Sequence, residues 1–303
     1  MTYFTYITQI MVSLMMVSMV FMMLTRSVAC ARRIAEVLEE RPSIDNEKAQ
    51  EGARVQDGTI EFRHVSFKYD PESPEWILRD VDLQIPSGAT VGILGGTGSG
   101  KSTLVSLIPR LYEATEGTVL VGGRPVNSYT MEHLRDAVSV VLQKNTLFSG
   151  TIRENLLWGN PEATEEEMIQ AAKDAQAYDF IMSFPDGFDT SLSQGGVNVS
   201  GGQKQRLCIA RAMLRKPAVL ILDDSTSAVD SATEAAIRES FAANLKDTTV
   251  IIIAQRISSV QYADEILILE DDHIAARGTH EELLATSPIY QEIYQSQQEG
   301  VGE

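Results

Sequence analysis

The sequence predicts an α/β fold in which a parallel, doubly wound domain follows one membrane-spanning helix. Three observations support this prediction. Tyr3–Leu24 carries no charge, a glycine-rich loop follows the apolar segment that starts at Thr90, and another short apolar segment ends at Asp223. Short apolar strands that run into loops and helices are typical of parallel sheets with helices on both faces.

The composition fits a folded domain with an acidic surface. The 303 residues leave room for one large or two ordinary domains, and 44% of them are hydrophobic. Residues 1–41 hold four basic and three acidic side chains, so the remainder carries 21 positive and 39 negative charges, a balance of −18. A surface this acidic repels a phosphate backbone, which argues against a nucleic-acid partner. The two cysteines and four scattered histidines show no metal-ligand spacing.

The apolar N-terminal segment, residues 1–26, is predicted to be a transmembrane helix. Its 22 uncharged residues would extend about 33 Å as a helix, enough to cross a hydrocarbon core of about 30 Å. A signal peptide is the alternative, but the segment lacks a basic start, and its first basic residue is Arg26. Arg26, Arg32 and Arg33 place its C-terminal end in the cytoplasm. The acidic body is therefore expected on the cytoplasmic side of the cell membrane.

Three polar side chains share one face of this helix. Thr5, Gln9 and Ser13 recur at intervals of four residues, and Gln9 is the most costly of them to expose to lipid. They indicate either hydrogen bonding to neighbouring helices or a stripe along a solute pathway, and both interpretations stay open. Residues 27–58 are predicted to form a helical extension and a polar linker.

A phosphate-binding loop is predicted at Gly95–Ser102. The segment Gly-Gly-Thr-Gly-Ser-Gly-Lys-Ser matches the pattern GxxxxGK[ST], and it lies between an apolar strand and a helix, as that pattern requires. The glycines allow backbone N–H groups to surround phosphates, Lys101 reaches the β and γ phosphates, and the Ser102 hydroxyl is a ligand for Mg²⁺. The motif therefore predicts nucleotide binding, with a helix from Lys101 to about Pro109.

The second half of such a site is predicted at Asp223. The segment Val219–Asp223 reads Val-Leu-Ile-Leu-Asp, an apolar strand that ends in a carboxylate. Beside a phosphate loop, this carboxylate is positioned to hold Mg²⁺ through water. Together the two elements predict a parallel, doubly wound core.

A third motif starts a helix at Ser200. The segment Ser200-Gly201-Gly202-Gln203 opens a helix that is predicted to run to about Arg215. A small polar residue and two glycines at a helix start make an anion site. Because the phosphate loop already serves this chain, the motif would serve the nucleotide of another chain. An ordinary helix N-cap is the alternative interpretation.

These motifs resemble the ATPases of ABC transporters, and in particular the exporter-type half-transporters. The resemblance covers nearly the whole chain: Ser200–Arg206 matches the family signature, Leu147–Leu156 resembles the segment that opens the helical subdomain, and Ser227–Asp230 resembles the D-loop. It implies a P-loop NTPase fold with a RecA-like core and an inserted helical subdomain at about 150–215. It also implies that the cofactors are ATP and Mg²⁺.

The resemblance implies a role for each motif residue. Tyr69 would stack on adenine, and Gln143 would contact Mg²⁺ and the attacking water. The residues implied to contact ATP are Tyr69, Gly95, Gly96, Thr97, Gly98, Ser99, Gly100, Lys101, Ser102, Thr103, Gln143, Ser200, Gly201, Gly202, Gln203 and Asp230. Those implied to hold Mg²⁺ are Ser102, Gln143 and Asp223, and those implied in catalysis are Lys101, Gln143, Asp224 and Gln255.

Two of these positions depart from the family pattern. Asp224 stands where the family usually has a glutamate that acts as general base, and Gln255 stands where it usually has the switch histidine. Aspartate is one methylene shorter, and a displacement of about 1 Å can reduce a rate on the order of 100-fold. Glutamine keeps a hydrogen bond but exchanges no proton near neutral pH. Both changes predict slow hydrolysis at the site formed by this chain's own phosphate loop.

The intact signature implies a partner. In the family, two ATPase domains close head to tail, so Ser200 and Gly202 would complete a competent site on a second half-transporter. A heterodimer is therefore expected, with a homodimer as the alternative. Gln194 stands where exporters often have a glutamate that contacts the transport loops. The transported substrate, whether drug, lipid or peptide, is not readable from these residues.

The sequence therefore predicts the ATPase subunit of an ABC exporter. We expect residues 1–26 to be the last helix of a six-helix membrane domain, residues 59–296 the ATP-binding domain and residues 297–303 a frayed tail. A membrane-tethered module that binds ATP without useful turnover and regulates a partner is the alternative. A soluble ABC ATPase of DNA repair or translation is disfavoured by the apolar leader and the negative charge.

Overall fold

The computed structural model describes residues 2–224 and 229–299, which fall into two compact units, 1–45 and 46–303. The first unit consists mainly of helix α1, Thr2–Glu39, in which no residue is buried. In the part of the chain that the structure describes, α1 alone is long and apolar enough to cross a membrane. The hydroxyl of Ser13 donates to the carbonyl of Gln9 over 2.9 Å, so this polar group is satisfied within the helix.

The second unit contains both strands and helices. The strands are β1 Ile60–Phe67, β2 Leu78–Ile85, β3 Thr90–Gly95, β4 Glu116–Val121, β5 Arg124–Pro125, β6 Val138–Val141, β7 Gly150–Thr151, β8 Ser191–Leu192, β9 Val219–Asp223, β10 Thr249–Ile253, β11 Glu265–Glu270 and β12 His273–Gly278. The helices are α2 Lys101–Ser106, α3 Met131–Ala137, α4 Ile152–Leu157, α5 Glu165–Asp174, α6 Tyr178–Ser183, α7 Gly201–Leu214, α8 Ser231–Asn244, α9 His280–Thr286 and α10 Pro288–Glu299.

The main sheet confirms the predicted parallel α/β core. Its strand order is β12-β11-β3-β10-β9-β6, and β12 is antiparallel to β11 while the other neighbours are parallel. Side chains alternate between its faces: Leu220 and Leu222 join one hydrophobic cluster, whereas Val219 and Ile221 join another. Burial on both faces explains the continuous apolar runs of these strands. The sheet order also places the carboxyl ends of β3, β10, β9 and β6 along one edge.

A second, antiparallel sheet was not predicted from the sequence. It has the order β2-β1-β4-β5, and its buried side chains share a cluster with one face of the main sheet. Phe62, Leu78 and Val121 belong to this cluster. The buried Tyr129 donates its hydroxyl hydrogen to the carbonyl of Val121 over 2.8 Å, which satisfies that group inside the cluster.

Helices α4–α7 form a lobe on the other face of the main sheet. Ile152, Leu156, Met168 and Leu207 are buried in the cluster that this lobe shares with the sheet. The N-termini of α4 and α5 both carry capping boxes, and the box at Thr164–Glu167 confirms a sequence prediction. These boxes satisfy backbone N–H groups that a helix start otherwise leaves unpaired.

Two element ends differ from the sequence predictions. Helix α2 ends at Ser106 and not near Pro109, because the segment that follows forms turns. Helix α10 continues to Glu299, so the tail predicted at 297–303 begins inside a helix, and its residues 300–303 lie outside the described residues. The reason is burial: Tyr290 is fully buried, and Ile293 and Tyr294 pack against the core.

Candidate functional site

The loop Gly95–Gly100 connects β3 to α2 with a backbone that only glycine adopts easily. Gly98 and Gly100 both have φ of 87°. A Cβ at Gly100 would lie 2.9 Å from the carbonyl oxygen of Ile77. Gly96 and Gly98 have open space where a side chain would stand. The loop therefore presents bare backbone to its surroundings, the geometry that phosphate oxygens require.

The ammonium group of Lys101 lies across this loop. Its Nζ donates to the carbonyls of Gly95 and Gly96 over 2.8 and 2.6 Å. Partial burial lowers the pKa of Lys101 below its usual value, and the nearby carboxylates of Asp223 and Asp224 oppose that shift. Lys101 thus places a positive charge beside the phosphate loop and near the carboxylates at the end of β9.

Ser102 and Asp223 lie together at the start of α2 and the end of β9. Burial raises the pKa of the Asp223 carboxyl, and a hydrogen bond with Ser102 opposes the rise. A hydroxyl and a carboxylate are hard oxygen ligands, the kind that Mg²⁺ prefers. The oxygen donors, the glycine cradle and Lys101 fit a nucleotide with its magnesium ion. The structure thus joins the two halves of the predicted site.

Asp224 is the meeting point of three loops. Gln143 follows β6, Asp224 follows β9 and Gln255 follows β10, and these strands are neighbours in the sheet. The Nε2 atoms of Gln143 and Gln255 donate to the same Asp224 oxygen, Oδ2, over 3.0 and 2.8 Å. The backbone N–H of Asp224 donates to the carbonyl of Ile253 over 3.0 Å. The predicted base and switch positions are therefore in direct contact.

Tyr69 lies beside the first turn of α2. Its hydroxyl is 2.9 Å from the Thr103 hydroxyl. Its ring packs edge-to-face with the rings of Phe67 and Tyr112, at centroid distances of 5.0 and 5.1 Å. Tyr69 remains 56% exposed. An exposed ring that is fixed at its hydroxyl can accept a base on its free face, so the adenine role stays a prediction for this residue.

The signature motif starts α7 and is separate from the phosphate loop. Ser200 is the N-cap, and its hydroxyl accepts from the N–H of Gln203 over 3.2 Å while the Gln203 side chain accepts from the N–H of Ser200 over 2.9 Å. Ser200 and Gly201 are exposed. Among the described residues, no hydrogen bond joins this motif to Gly95–Ser102. The ordinary N-cap interpretation is therefore correct at the level of local structure, and a second role needs a second chain.

Only part of the predicted D-loop, Ser227–Asp230, lies within the described residues. Ser227 and Ala228 lie outside the described residues. Asp230 caps α8, and it accepts from the N–H and the hydroxyl of Thr233 over 3.0 and 2.7 Å. The backbone N–H of Thr233 is the first of the hydrogen bonds that lower the pKa of Asp230.

Sequence reasoning missed Gln297. Its side chain lies on α10, where Nε2 donates to the carbonyl of Gln255 over 2.8 Å and Oε1 accepts from the N–H of Ile257 over 2.9 Å. The residue belongs to a glutamine-rich segment without a motif, so no sequence signal marks it.

Comparison with known proteins decides the family of this site. A family model described as "ABC transporter" matches residues 78–227, a range that starts at β2 and includes β9. This chain carries the ATP-binding domain of the ABC transporter family. The phosphate loop, the signature and the Asp223–Asp224 pair all fall within the matched residues.

Full-length relatives extend the likeness over both units of the chain. The uncharacterized ABC transporter ATP-binding protein YfiB of Bacillus subtilis is 47% identical over 96% of this chain and 50% of its own length. A putative multidrug export ATP-binding/permease protein of Staphylococcus aureus is 44% identical over 87% of this chain and 46% of its own length. The chain spans about half the length of these ABC transporter relatives.

A solved structure supports the same architecture. The structure of a bacterial Atm1-family ABC exporter with ATP bound superposes with a TM-score of 0.84 at 32% identity. It covers 97% of this chain, which covers 51% of that exporter. The ABC ATPase fold predicted from the sequence is therefore confirmed, together with a candidate transmembrane helix before it.

Proposed function

We propose that this chain is the ATP-binding subunit of a multidrug-type ABC exporter of the cell membrane. The observation that carries the proposal is the convergence of Lys101, Asp223 and the Asp224 cluster at one edge of the parallel sheet. Helix α1 supports a membrane location, and the similarity to a putative multidrug export protein and an Atm1-family exporter supports the exporter class. A drug, a lipid or a peptide is the transported substrate, moved by helices of a membrane domain.

The residues of the proposed site divide the work of binding. The loop amides and Lys101 hold the phosphates of ATP, and the exposed ring of Tyr69 accepts the adenine. Ser102 and Asp223, joined by Gln143, are the proposed ligands of Mg²⁺, which when bound neutralises phosphate charge. Asp224 is proposed to take the proton of the attacking water.

Hydrolysis at this site is proposed to be slow. Asp224 carries a shorter side chain than glutamate, and its Oδ2 is already the acceptor of two amide hydrogens. Gln255 can orient a water or a phosphate oxygen but cannot take or return a proton near neutral pH. General acid–base catalysis contributes typically about 10²–10⁴-fold, so a site with these substitutions turns over correspondingly slowly.

A second ATP-binding subunit is the proposed partner. The exposed signature at Ser200 and Gly201 supports this, because a helix start with bare glycines offers backbone N–H groups to an anion from outside the chain. A partner with glutamate and histidine at the two altered positions would make a heterodimer with one fast site. Formation of a homodimer is the competing arrangement.

ATP binding and single-turnover hydrolysis by the full chain in lipid nanodiscs test this proposal. We expect the wild type to bind Mg²⁺-ATP, and Lys101→Ala to weaken that binding at least about 10-fold, since each lost charge-assisted hydrogen bond is worth about 1.5–3 kcal/mol. The combined variant Asp224→Glu, Gln255→His should hydrolyse at least about 10-fold faster than the wild type. Failure to bind ATP contradicts the proposed site. Equal rates in both proteins contradict the slow-site proposal.

A membrane-tethered regulatory module is the second candidate. The observation that favours it is the pairing of Asp224 with Gln143 and Gln255, which occupies the proposed base with amide donors. Such a module would bind ATP, close on its partner and hydrolyse nothing at its own site. Mixing the chain with a half-transporter that has intact base and switch residues, and measuring hydrolysis at the chain's own site, distinguishes the two, because the exporter subunit turns over slowly there and the regulatory module does not turn over.

A further inference from the structure

We propose that Gln297 is a positioning residue of the ATP site, which holds the Gln255 loop in place from the C-terminal helix α10. The inference rests on the proposed function for what the site does, and on the hydrogen bonds of Gln297 for how the loop is held. Both the nitrogen and the oxygen of the Gln297 side-chain amide form hydrogen bonds, and together these two bonds form a clamp on the loop. Nε2 donates to the carbonyl of Gln255, and Oε1 accepts from the N–H of Ile257.

These two bonds satisfy the backbone where it leaves the sheet. Strand β10 ends at Ile253, and the N–H of Ala254 still bonds to the carbonyl of Ile93 over 3.1 Å. Beyond that point, the carbonyl of Gln255 and the N–H of Ile257 find no other hydrogen-bond partner within residues 2–224 and 229–299. Gln297 thus pairs two backbone groups that a neighbouring strand would pair inside a sheet.

The anchored loop carries the switch position. The backbone carbonyl of Gln255 is bonded to Gln297, and the side-chain Nε2 of Gln255 lies 2.8 Å from Asp224 Oδ2. Ile257, at the other end of the clamp, is 2% exposed and packs in the core cluster with Tyr294 of α10 on its border. Ile257 is therefore held by packing as well as by Gln297, whereas the carbonyl of Gln255 is held by Gln297.

Helix α10 also borders the phosphate loop. A cavity of 450 Å³ lies between Gly95–Ser99 and the α10 side chains Ile289, Glu292 and Ile293. Ile289 and Gln297 are about 12 Å apart along the helix. The same rigid element thus lies beside the loop predicted to hold phosphates and clamps the loop that reaches the proposed base. A shift of α10 would move Gln255 relative to Asp224.

The consequence is a role for α10 in the chemistry. A displacement of a catalytic group by about 1 Å can reduce a rate on the order of 100-fold. Gln297 touches neither the phosphate loop nor Asp224 by any hydrogen bond among the described residues, so its effect passes through Gln255. Its loss should reduce turnover without weakening ATP binding.

Hydrogen exchange of the full chain in nanodiscs tests the clamp directly. Gln297→Ala should raise the exchange rate of the amides in residues 254–259 at least about 10-fold, and leave Thr90–Gly95 as in the wild type. Gln298→Ala, an exposed neighbour on the same helix, is the matched control and should change neither segment. Gln297→Glu keeps the acceptor for Ile257, and should restore protection of that amide in part. Wild-type exchange in Gln297→Ala would overturn the proposal.

Single-turnover hydrolysis of radiolabelled ATP tests the positioning role. Gln297→Ala should lower the rate about 10-fold with an ATP affinity within about twofold of the wild type. In the Gln255→Ala background, adding Gln297→Ala should lower the rate no further, because both changes act through one group. Additive losses would overturn the positioning role. Absence of ATP binding by the wild type would contradict the proposed function instead, and the exchange comparison would still decide the clamp.

Discussion

The side-chain amide of Gln255 donates a hydrogen bond from Nε2 to Oδ2 of Asp224 over 2.8 Å. Gln143 donates to the same oxygen over 3.0 Å. It follows β6, which borders β9 on the side opposite β10. The position predicted for the general base is therefore held between two side chains that carry no titratable proton. Both donors are amide groups, which orient Asp224 without relaying a proton.

The role of Asp224 is testable by an isosteric change. The residue has φ of 46°, a left-handed conformation that asparagine tolerates as well as aspartate. We expect Asp224→Asn to keep the fold and the ATP affinity, and to lower single-turnover hydrolysis about 10²-fold because the base is lost. Circular dichroism and ATP titration control for folding and binding. An unchanged hydrolysis rate would show that another group takes the proton.

The adenine contact of Tyr69 separates into a ring and a hydroxyl. Tyr69→Ala removes a stacking surface, which is worth about 1–3 kcal/mol per base, so the affinity for ATP should fall at least about fivefold. Tyr69→Phe keeps the ring and loses only the hydrogen bond to Thr103, and its affinity should stay within about threefold of the wild type. Calorimetric titration measures both. Equal effects of the two variants would indicate that the hydroxyl, not the ring, matters.

The capping box at Ser200 contributes to stability as well as to the proposed signature. Ser200→Ala removes the acceptor for the N–H of Gln203, and should reduce the free energy of unfolding by about 1 kcal/mol. For a domain of this size the midpoint of thermal unfolding should fall by about 2–4 °C. Ser193→Ala is the control, because Ser193 precedes a short 3-10 turn and makes no capping hydrogen bond. Equal midpoints for the two variants would refute the contribution of the box.

His64 is expected to make the stability of the antiparallel sheet dependent on pH. The carboxylates of Asp80 and Asp82 lie 2.9 and 3.0 Å from its Nδ1, and the hydrogen bond with Asp80 raises the pKa of His64 above its usual 6.5. A raised folded-state pKa adds stability that is complete below pH 6.5 and is lost as the pH rises through the folded pKa.

The variant His64→Asn tests this dependence, because asparagine also tolerates the left-handed φ of 49° at this position. Thermal unfolding should show a lower midpoint than the wild type at pH 6 and the same midpoint at pH 9. A difference that persists unchanged at pH 9 would assign the effect to packing and not to charge.

The local sequence pattern was sufficient to predict several elements. The phosphate loop, the strand that ends at Asp223 and the capping box at Thr164 each depend on residues within a few positions of one another. Strand β9 could be recognised because Val219–Leu222 is apolar at every position, as burial on both faces of a parallel sheet requires. The antiparallel sheet gave no comparable signal, since its strands mix polar and apolar residues and the pairing of β1 with β2 shifts register at two places.

The amino-acid sequence by itself predicted nucleotide binding, a membrane-length apolar helix and departures from the family pattern at Asp224 and Gln255. Only the tertiary structure decided which side chains meet. Gln143 is 81 residues from Asp224 along the chain, Gln255 is 31 residues from it, and Gln297 is 42 residues from Gln255. Such contacts depend on the strand order of the sheet and on the docking of α10. A motif records spacing along the chain, whereas these contacts are set by packing between distant elements.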